Sequence, residues 1–249
     1  MSDKQAVVTL ITGAERGMGF VHAKALSEHG QHVFMGAYDM ALGQTAAKQL
    51  QDQGLDVTLV HCDITNRESI DETIQTIQDK YGYLNILINN AGISGPQGVM
   101  PSATTEADLR KVFETNFFGT VAMTQAAIPL LKQAPFGKII TVTSDMGSLG
   151  LATDPQSMFS KIVAFPYQAS KTALNAMTIA YAKEFKGTTI TANSVNPGMT
   201  ATDLVNKEEF AKHGAKTVDE GAKRTIELAL SPDNKLNGTF TEEDGIVPW

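Results

Sequence analysis

The chain holds a single cysteine, Cys62, in 249 residues, so it cannot close an internal disulfide, and a lone thiol fits a reducing compartment. Histidines are few. His22, His29, His32, His61 and His213 form neither an HExxH pair nor a set with cysteine, and they are expected at the surface or at helix ends rather than around a metal. A basic block is also missing. The 20 Lys and Arg against 27 Asp and Glu leave a net charge of −7, spread along the chain, which argues against nucleic acid or an anionic membrane as the main partner. No apolar run approaches the ~18 to 20 residues that would span a bilayer, and the run before Gly13 is too short for a signal-peptide core. A cytoplasmic protein is expected.

What the chain does have is an alternation. Short apolar, β-branched runs recur as AVVTLIT, HVFMGA, VTLVHCDI, LNILINNA, GKIITVTS, TITANSVNP and, late, GTFTEEDG. Between them, helical spacing covers Met18 to His29, Ala41 to Gln53, Arg67 to Tyr81, Glu106 to Leu131 and Gln168 to Phe185. This order predicts an α/β protein: a Rossmann-type, doubly wound parallel sheet of about seven strands with helices on both faces. No linker, composition shift or repeat divides it, so one domain over residues 1–249 is expected. Two segments break the rhythm, one between Ser144 and Tyr167 and one after Pro197. Both follow strands, and in open α/β sheets ligands lie beyond the carboxyl ends of strands, so both are expected to border a site.

The first strand runs into a helix through Gly13, Gly17 and Gly19, in the spacing G-x-x-x-G-x-G. Without Cβ atoms such a turn can be tight, and its N–H groups can approach a pyrophosphate at the helix N-terminus; a plain tight turn is the alternative. At the end of the second strand, where an acid would bind the ribose 2′-OH of NAD, stand Ala37 and Tyr38, with Asp39 following. With no carboxylate there, a 2′-phosphate is tolerated and Arg16 could pair with it, so NADP(H) is favoured and NAD remains open. The alternatives are a solvated Arg16 and, at Tyr38, the lack of a second cation. Farther on, YQASK sets Tyr167 and Lys171 at i and i+4, on one face of a helix.

These residues resemble the short-chain dehydrogenase/reductase family, in its short single-domain branch. The likeness covers nearly the whole chain through TGAERGMG (12–19), CDIT (62–65), NNAG (89–92), ETNFFG (114–119), TVTS (141–144), YQASK (167–171) and NPGMTATD (196–203). The resemblance implies a catalytic group of Asn116, Ser144, Tyr167 and Lys171. It also implies that a dinucleotide meets Gly13, Glu15, Arg16, Gly17, Met18 and Gly19 in the loop, then Ala37 and Tyr38, and that Asp63 and Ile64 lie at its adenine ring. Asn89 would brace the sheet. Asn90, Ala91 and Gly92 would line the cofactor, and Pro197, Gly198, Thr200 and Thr202 would stand with Tyr167 and Lys171 at its nicotinamide end.

Plainer readings stay open: Asp63 as a helix N-terminal acid, Asn89 and Asn90 as turn residues, Ser144 and Thr202 as caps. Asn116 inside a helix suggests a kink or a bound water. Tyrosine has an ordinary pKa of about 10, and Lys171 is expected to lower that of Tyr167 and so make it a proton donor to a carbonyl reduced by hydride. Ser144 would donate to the growing oxyanion.

Two features depart from the branch. Tyr167 follows Ser144 by 23 residues, an unusually long interval, and the chain ends GTFTEEDGIVPW. Both are similar to carbonyl-reductase-like members. The extra chain could cover surfaces used for assembly, so dimer, tetramer and monomer all stay open. Met146, Leu149, Leu151, Met158, Phe159, Val163, Phe165 and Met199 either form an apolar pocket for a ketone or aldehyde or pack the loops down. An NAD-linked alcohol dehydrogenase and a non-catalytic dinucleotide sensor are the competing functions.

Overall fold

The computed structural model describes residues 6–202, 204, 208, 212 and 214–249. His213, and Asp203 of the NPGMTATD stretch, lie outside the described residues.

The strands are β1 (Val8–Thr12), β2 (His32–Ala37), β3 (Val57–His61), β4 (Ile86–Asn89), β5 (Gly137–Val142), β6 (Ile190–Val195), β7 (Phe240–Glu242) and β8 (Gly245–Ile246). They form one sheet in the order β3-β2-β1-β4-β5-β6-β7-β8, parallel except for the antiparallel β7–β8 pair. The doubly wound parallel sheet predicted from the alternation is present, with eight strands where about seven were expected. The added one is the two-residue β8, too short to leave a pattern. Chain order reverses between β1 and β4, which leaves a crevice at their carboxyl ends.

The helices are α1 (Gly17–Glu28), α2 (Met40–Gln51), α3 (Arg67–Lys80), α4 (Glu106–Phe113), α5 (Thr120–Gln133), α6 (Leu149–Thr153), α7 (Phe165–Glu184) and α8 (Val218–Leu230). Successive strand residues point to opposite faces, so β1 divides its apolar side chains between two cores. Leu10 joins Phe34 and Leu87 beneath Ile70, Ile77, Met123, Leu130, Leu174 and Tyr181 of α3, α5 and α7. Ile11 joins Met35 and Ile88 beneath Ala23, Leu26, Ala46, Leu50 and Leu228 of α1, α2 and α8. Burying each large aliphatic side chain contributes about 1.5–3 kcal/mol, which is why the strands read as unbroken apolar runs.

Local chemistry sets the helix starts. Asp39 accepts from the Ala41 and Leu42 N–H groups and caps α2, so the acid two residues beyond Ala37 is engaged in ending a loop. Thr217 and Glu220 form a capping box on α8, a helix the periodicity did not single out. The single helix expected from Glu106 to Leu131 is instead two, joined by a π-helical turn over Glu114–Gly119.

Two histidines contradict the surface expectation. His22 of α1 is fully buried, with neither ring nitrogen hydrogen-bonded, and burial pushes its pKa down to about 3. His32 opens β2 at 1% exposure, bonded through Nδ1 to Asp56 at 2.8 Å and lying against the rings of Phe34 and Tyr81. Strands and helix faces covered on both sides take in whatever residue the register places there. His29 does end a helix, and His61 is exposed, both as expected.

Candidate active site

The glycine loop is tied down from below. Asn90 donates through Nδ2 to the carbonyls of Thr12 (2.9 Å) and Gly13 (3.0 Å), and the Thr12 hydroxyl accepts from the Asn90 and Ala91 N–H groups. Asn90 is therefore a brace between β1 and β4, while Asn89 ties β4 to α5, its Nδ2 donating to the Thr124 hydroxyl at 2.9 Å. Gly13 has φ 65°, and a Cβ there would lie 3.0 Å from the Ala91 Cα; one on Gly19 would overlap the Gly13 carbonyl oxygen. By contrast, a Cβ on Gly17 (φ 57°) would meet nothing within 4 Å. The loop is thus packed on its inner side and open on its outer side.

Above it, α1 starts at Arg16 in extended conformation, and no side chain caps the first N–H groups. Uncapped N–H groups at an open helix N-terminus behind three glycines fit a pyrophosphate.

The adenosine end is mixed. Ala37 is buried and Tyr38 is 69% exposed, so no carboxylate stands at the end of β2. Arg16 is exposed in the glycine loop. Asp63 accepts from the N–H and hydroxyl of Thr65 and so holds its own turn, with Ile64 buried next to it. Glu15 has one carboxylate oxygen buried without a hydrogen-bond partner. Such an oxygen suits a ribose hydroxyl and disfavours a phosphate, which weakens the preference for a 2′-phosphate that Ala37 allows.

At the carboxyl end of β5, Ser144 accepts from the Met146 N–H at 3.2 Å and caps a tight turn over Asp145–Gly147. Helix α7 packs directly on that turn. A Cβ on Gly147 would stand 2.7 Å from the Lys171 Cβ, and the Gly147 carbonyl accepts from Thr172 and Asn175. This close approach brings Ser144 within hydrogen-bonding reach of the Tyr167 hydroxyl.

Lys171 is 4% exposed; its Nζ donates to the Val142 carbonyl at 2.8 Å and lies 5.5 Å from the Tyr167 ring centroid. Asn116 is fully buried in the π-helical turn. It accepts from the Ile93 N–H at 2.8 Å and donates to the Ile93 carbonyl (2.9 Å) and the Ser170 hydroxyl (3.0 Å), while Ser170 donates to the Tyr167 carbonyl. The irregularity expected at Asn116 is this π turn, and its amide hydrogens are both engaged within the protein. Gly92 completes the cluster: a Cβ on it would lie 3.3 Å from Asn116 Oδ1 and 3.8 Å from Lys171 Nζ.

One electrostatic expectation is corrected. Burial pushes the Tyr167 phenol above its ordinary pKa; the Ser144 hydrogen bond pulls it down and the Asp145 charge pushes it further up. Lys171, itself brought down to about 8 by burial, does not offset that loss of hydration at the phenol.

Beyond β6, Gly198 (φ 72°) donates its N–H to Asn196, and Thr200 donates to the Pro197 and Gly198 carbonyls. Met18 lies beneath, its sulfur 3.2 Å from where a Gly221 Cβ would stand. Thr202 is half-buried and accepts from the Leu204 N–H at 3.3 Å, a local cap. Of the apolar loop residues, Leu149, Met158, Phe165 and Met199 are exposed and the rest half-buried, so they are not simply loop packing. A cavity of about 330 Å³ opens between Ile93–Pro96 and Asp108, Lys111 and Val112 of α4.

Sequence reasoning passed over Asp145, Asn196 and Glu242, which adjoin Ser144 through hydrogen bonds. The one available signal was an acid directly after the serine.

The short chain dehydrogenase family model matches residues 7–213. The chain belongs to that family, whose members are oxidoreductases acting on CH–OH and C=O groups with NAD(P). It is 33% identical to the short-chain dehydrogenase anuI of Penicillium roqueforti, over 97% of this chain and 96% of the relative. It is 30% identical to carbonyl reductase [NADPH] 3 of Rattus norvegicus, over 97% and 98%. Among solved structures, a gluconate 5-dehydrogenase from Burkholderia cenocepacia in complex with NADP and tartrate superposes with a TM-score of 0.80 at 25% identity, covering 96% of this chain and 94% of that one. Among the described residues no helix is long and apolar enough to cross a membrane, and no group of side chains could hold a metal ion.

Proposed function

We propose that the protein is a carbonyl reductase, transferring hydride between NADP(H) and a moderately hydrophobic ketone, aldehyde or secondary alcohol. The observation that carries this reading is the meeting of Ser144, Tyr167 and Lys171 at the carboxyl end of β5, beside the open glycine loop. When bound, the dinucleotide supplies the hydride and, once oxidised, a positive charge beside the phenol.

The chain's own groups do the rest. Tyr167, kept protonated by burial, gives its proton to the carbonyl oxygen, while Ser144 donates a hydrogen bond to the same oxygen as charge grows on it, a contribution worth about 100-fold or more. Lys171 stabilises the phenolate left behind, and Asn116 holds Ser170 and the Ile93 main chain so that α7 keeps Tyr167 in place. Exposed Leu149, Met158, Phe165 and Met199 favour an apolar substrate. The absence of an acid at Ala37 and the exposed Arg16 of the glycine loop support NADP(H). The orphaned Glu15 oxygen favours the second reading, an NAD-linked alcohol dehydrogenase.

A ketone and aldehyde panel assayed with NADPH and with NADH separates the two. Tyr167→Phe is expected to lower turnover by at least about a hundredfold while leaving NADPH affinity nearly unchanged. Undiminished turnover would remove Tyr167 from its role, and tight binding without any turnover would point to a dinucleotide sensor.

A further inference from the structure

The opposite end of the sheet carries a second group of polar side chains. Strands β2 and β3 are parallel, with Phe34 beside Thr58, and the Val33 N–H donates to the Asp56 carbonyl at 3.1 Å. His32, two residues before Phe34, and Asp56, two before Thr58, therefore share one face with them, and Lys80 closes over that face from the last turn of α3. His32 Nδ1 lies 2.8 Å from Asp56 Oδ1 and donates to it, which leaves Nε2 as the acceptor. Lys80 Nζ donates to Thr58 Oγ1 at 3.0 Å, so the hydroxyl's own proton is the one available to His32 Nε2, 3.2 Å away. At 3.5 Å the Lys80 ammonium is the poorer donor to that nitrogen. The rings of Phe34 and Tyr81 lie 4.8 Å from the imidazole and leave His32 1% exposed, whereas Thr58 is half-buried and Lys80 exposed.

We propose that Thr58, His32 and Asp56 form a second site, for acyl transfer from small activated esters: Thr58 is the nucleophile, His32 its general base, and Asp56 the carboxylate that orients the imidazole. The hydroxyl–imidazole–carboxylate order is the one that activates an otherwise weak nucleophile, and it is recognised by geometry rather than by chain position. As Thr58 Oγ1 attacks the acyl carbon, its proton passes to His32 Nε2, and the bond to the leaving phenolate breaks. His32 then takes a proton from water, the hydroxide displaces the acyl group as a carboxylic acid, and the Thr58 hydroxyl is restored. The Lys80 ammonium, already 3.0 Å from the attacking oxygen, stands where negative charge grows. Burial holds His32 below its ordinary pKa against the pull of Asp56, with Lys80 adding to the lowering, so the base is neutral at pH 7. The site is apart from the proposed dinucleotide site: His32 opens β2 and Asp56 precedes β3, whereas the glycine loop and Ser144 follow the carboxyl ends of β1 and β5.

Thr58→Val keeps the β-branched shape that a strand favours and removes only the hydroxyl. Release of 4-nitrophenolate from 4-nitrophenyl acetate at pH 7.5 is compared between the wild type and Thr58→Val, and acid-quenched samples are mapped by mass spectrometry for the acetyl group. Every other lysine, histidine and tyrosine that reacts with the ester is common to both proteins, so the difference isolates Thr58. The variant is expected to release phenolate at least about tenfold more slowly, with the acetyl group on Thr58 in the wild type. Asp56→Asn, at a side chain 68% exposed, is expected to slow release several-fold, and it gives the decision should Thr58→Val not fold. Equal release by the wild type and by the variant that folds would overturn the proposal. Slower release with no acetyl group at Thr58 would also overturn it, leaving His32 to act on water. No carbonyl substrate or dinucleotide enters this assay, so its outcome is independent of the carbonyl-reductase reading.

Discussion

The glycine loop and the Ser144–Tyr167 segment each follow a strand of the same sheet, yet they are held in opposite ways. The loop after β1 is locked by neighbours on adjacent strands, with Asn90 and Thr12 supplying four hydrogen bonds and Gly19 packed on the Gly13 carbonyl. The segment after β5 is fastened from the far end of the chain. Ser148 donates to the Pro248 carbonyl, the Gly150 N–H donates to the Trp249 carbonyl at 2.8 Å, and the Trp249 ring stacks on Phe240 at 5.6 Å. The first arrangement suits a ligand part that is always the same; the second leaves apolar side chains exposed on a piece of chain held at few points. We read the difference as a rigid platform, proposed for the dinucleotide, set apart from a wall that can adjust to the substrate.

The sharpest way to break the comparison is Gly19→Val. A branched side chain would be driven into the Gly13 carbonyl, and dinucleotide affinity measured by titration is expected to fall at least about a thousandfold, roughly 4 kcal/mol. Retained binding would mean that the platform is not rigid.

Lys171, buried against the end of β5, gives the next largest effect. Its pKa is depressed to about 8 in the folded protein against 10.5 for the free side chain, so between those values the unfolded chain binds more protons and stability rises with pH. Lys171→Met removes that contribution. Denaturation measured from pH 8 to pH 10 should show the wild type gaining on the variant by up to about 3 kcal/mol. A constant difference would place the ammonium in a wetter setting than its burial implies.

The smallest effect lies in the adjustable wall. Trp249→Ala loses the Phe240 stack, so a stability loss of about 1 kcal/mol is expected. The KM for an apolar ketone should rise several-fold, with NADPH affinity unchanged. An equal loss of cofactor affinity would show that the two regions are not separate.

Most of the fold was legible because strands buried on both faces must be apolar throughout, as VTLIT and GKIITV are. The glycine loop and the Tyr167–Lys171 pair were legible for a similar reason, since each depends on local spacing. His22 and His32 were misread because burial belongs to packed layers, not to residue type. Helix α8 and strand β8 escaped notice, the one beside a loop with no clear rhythm, the other only two residues long.

By itself, the sequence determined the alternation of strands and helices and the tight glycine turn after the first strand, because these follow from periodicity and from close approaches that only glycine allows, while the residues of the site were read from their resemblance to a family. Tertiary structure alone decided that Asn196 joins Asp145 to Glu242, that the chain's end clamps α6, and that the Tyr167 phenol titrates high. Each depends on groups far apart in the chain being brought out of water together, and loss of hydration is set by the packed neighbours and cannot be read from spacing.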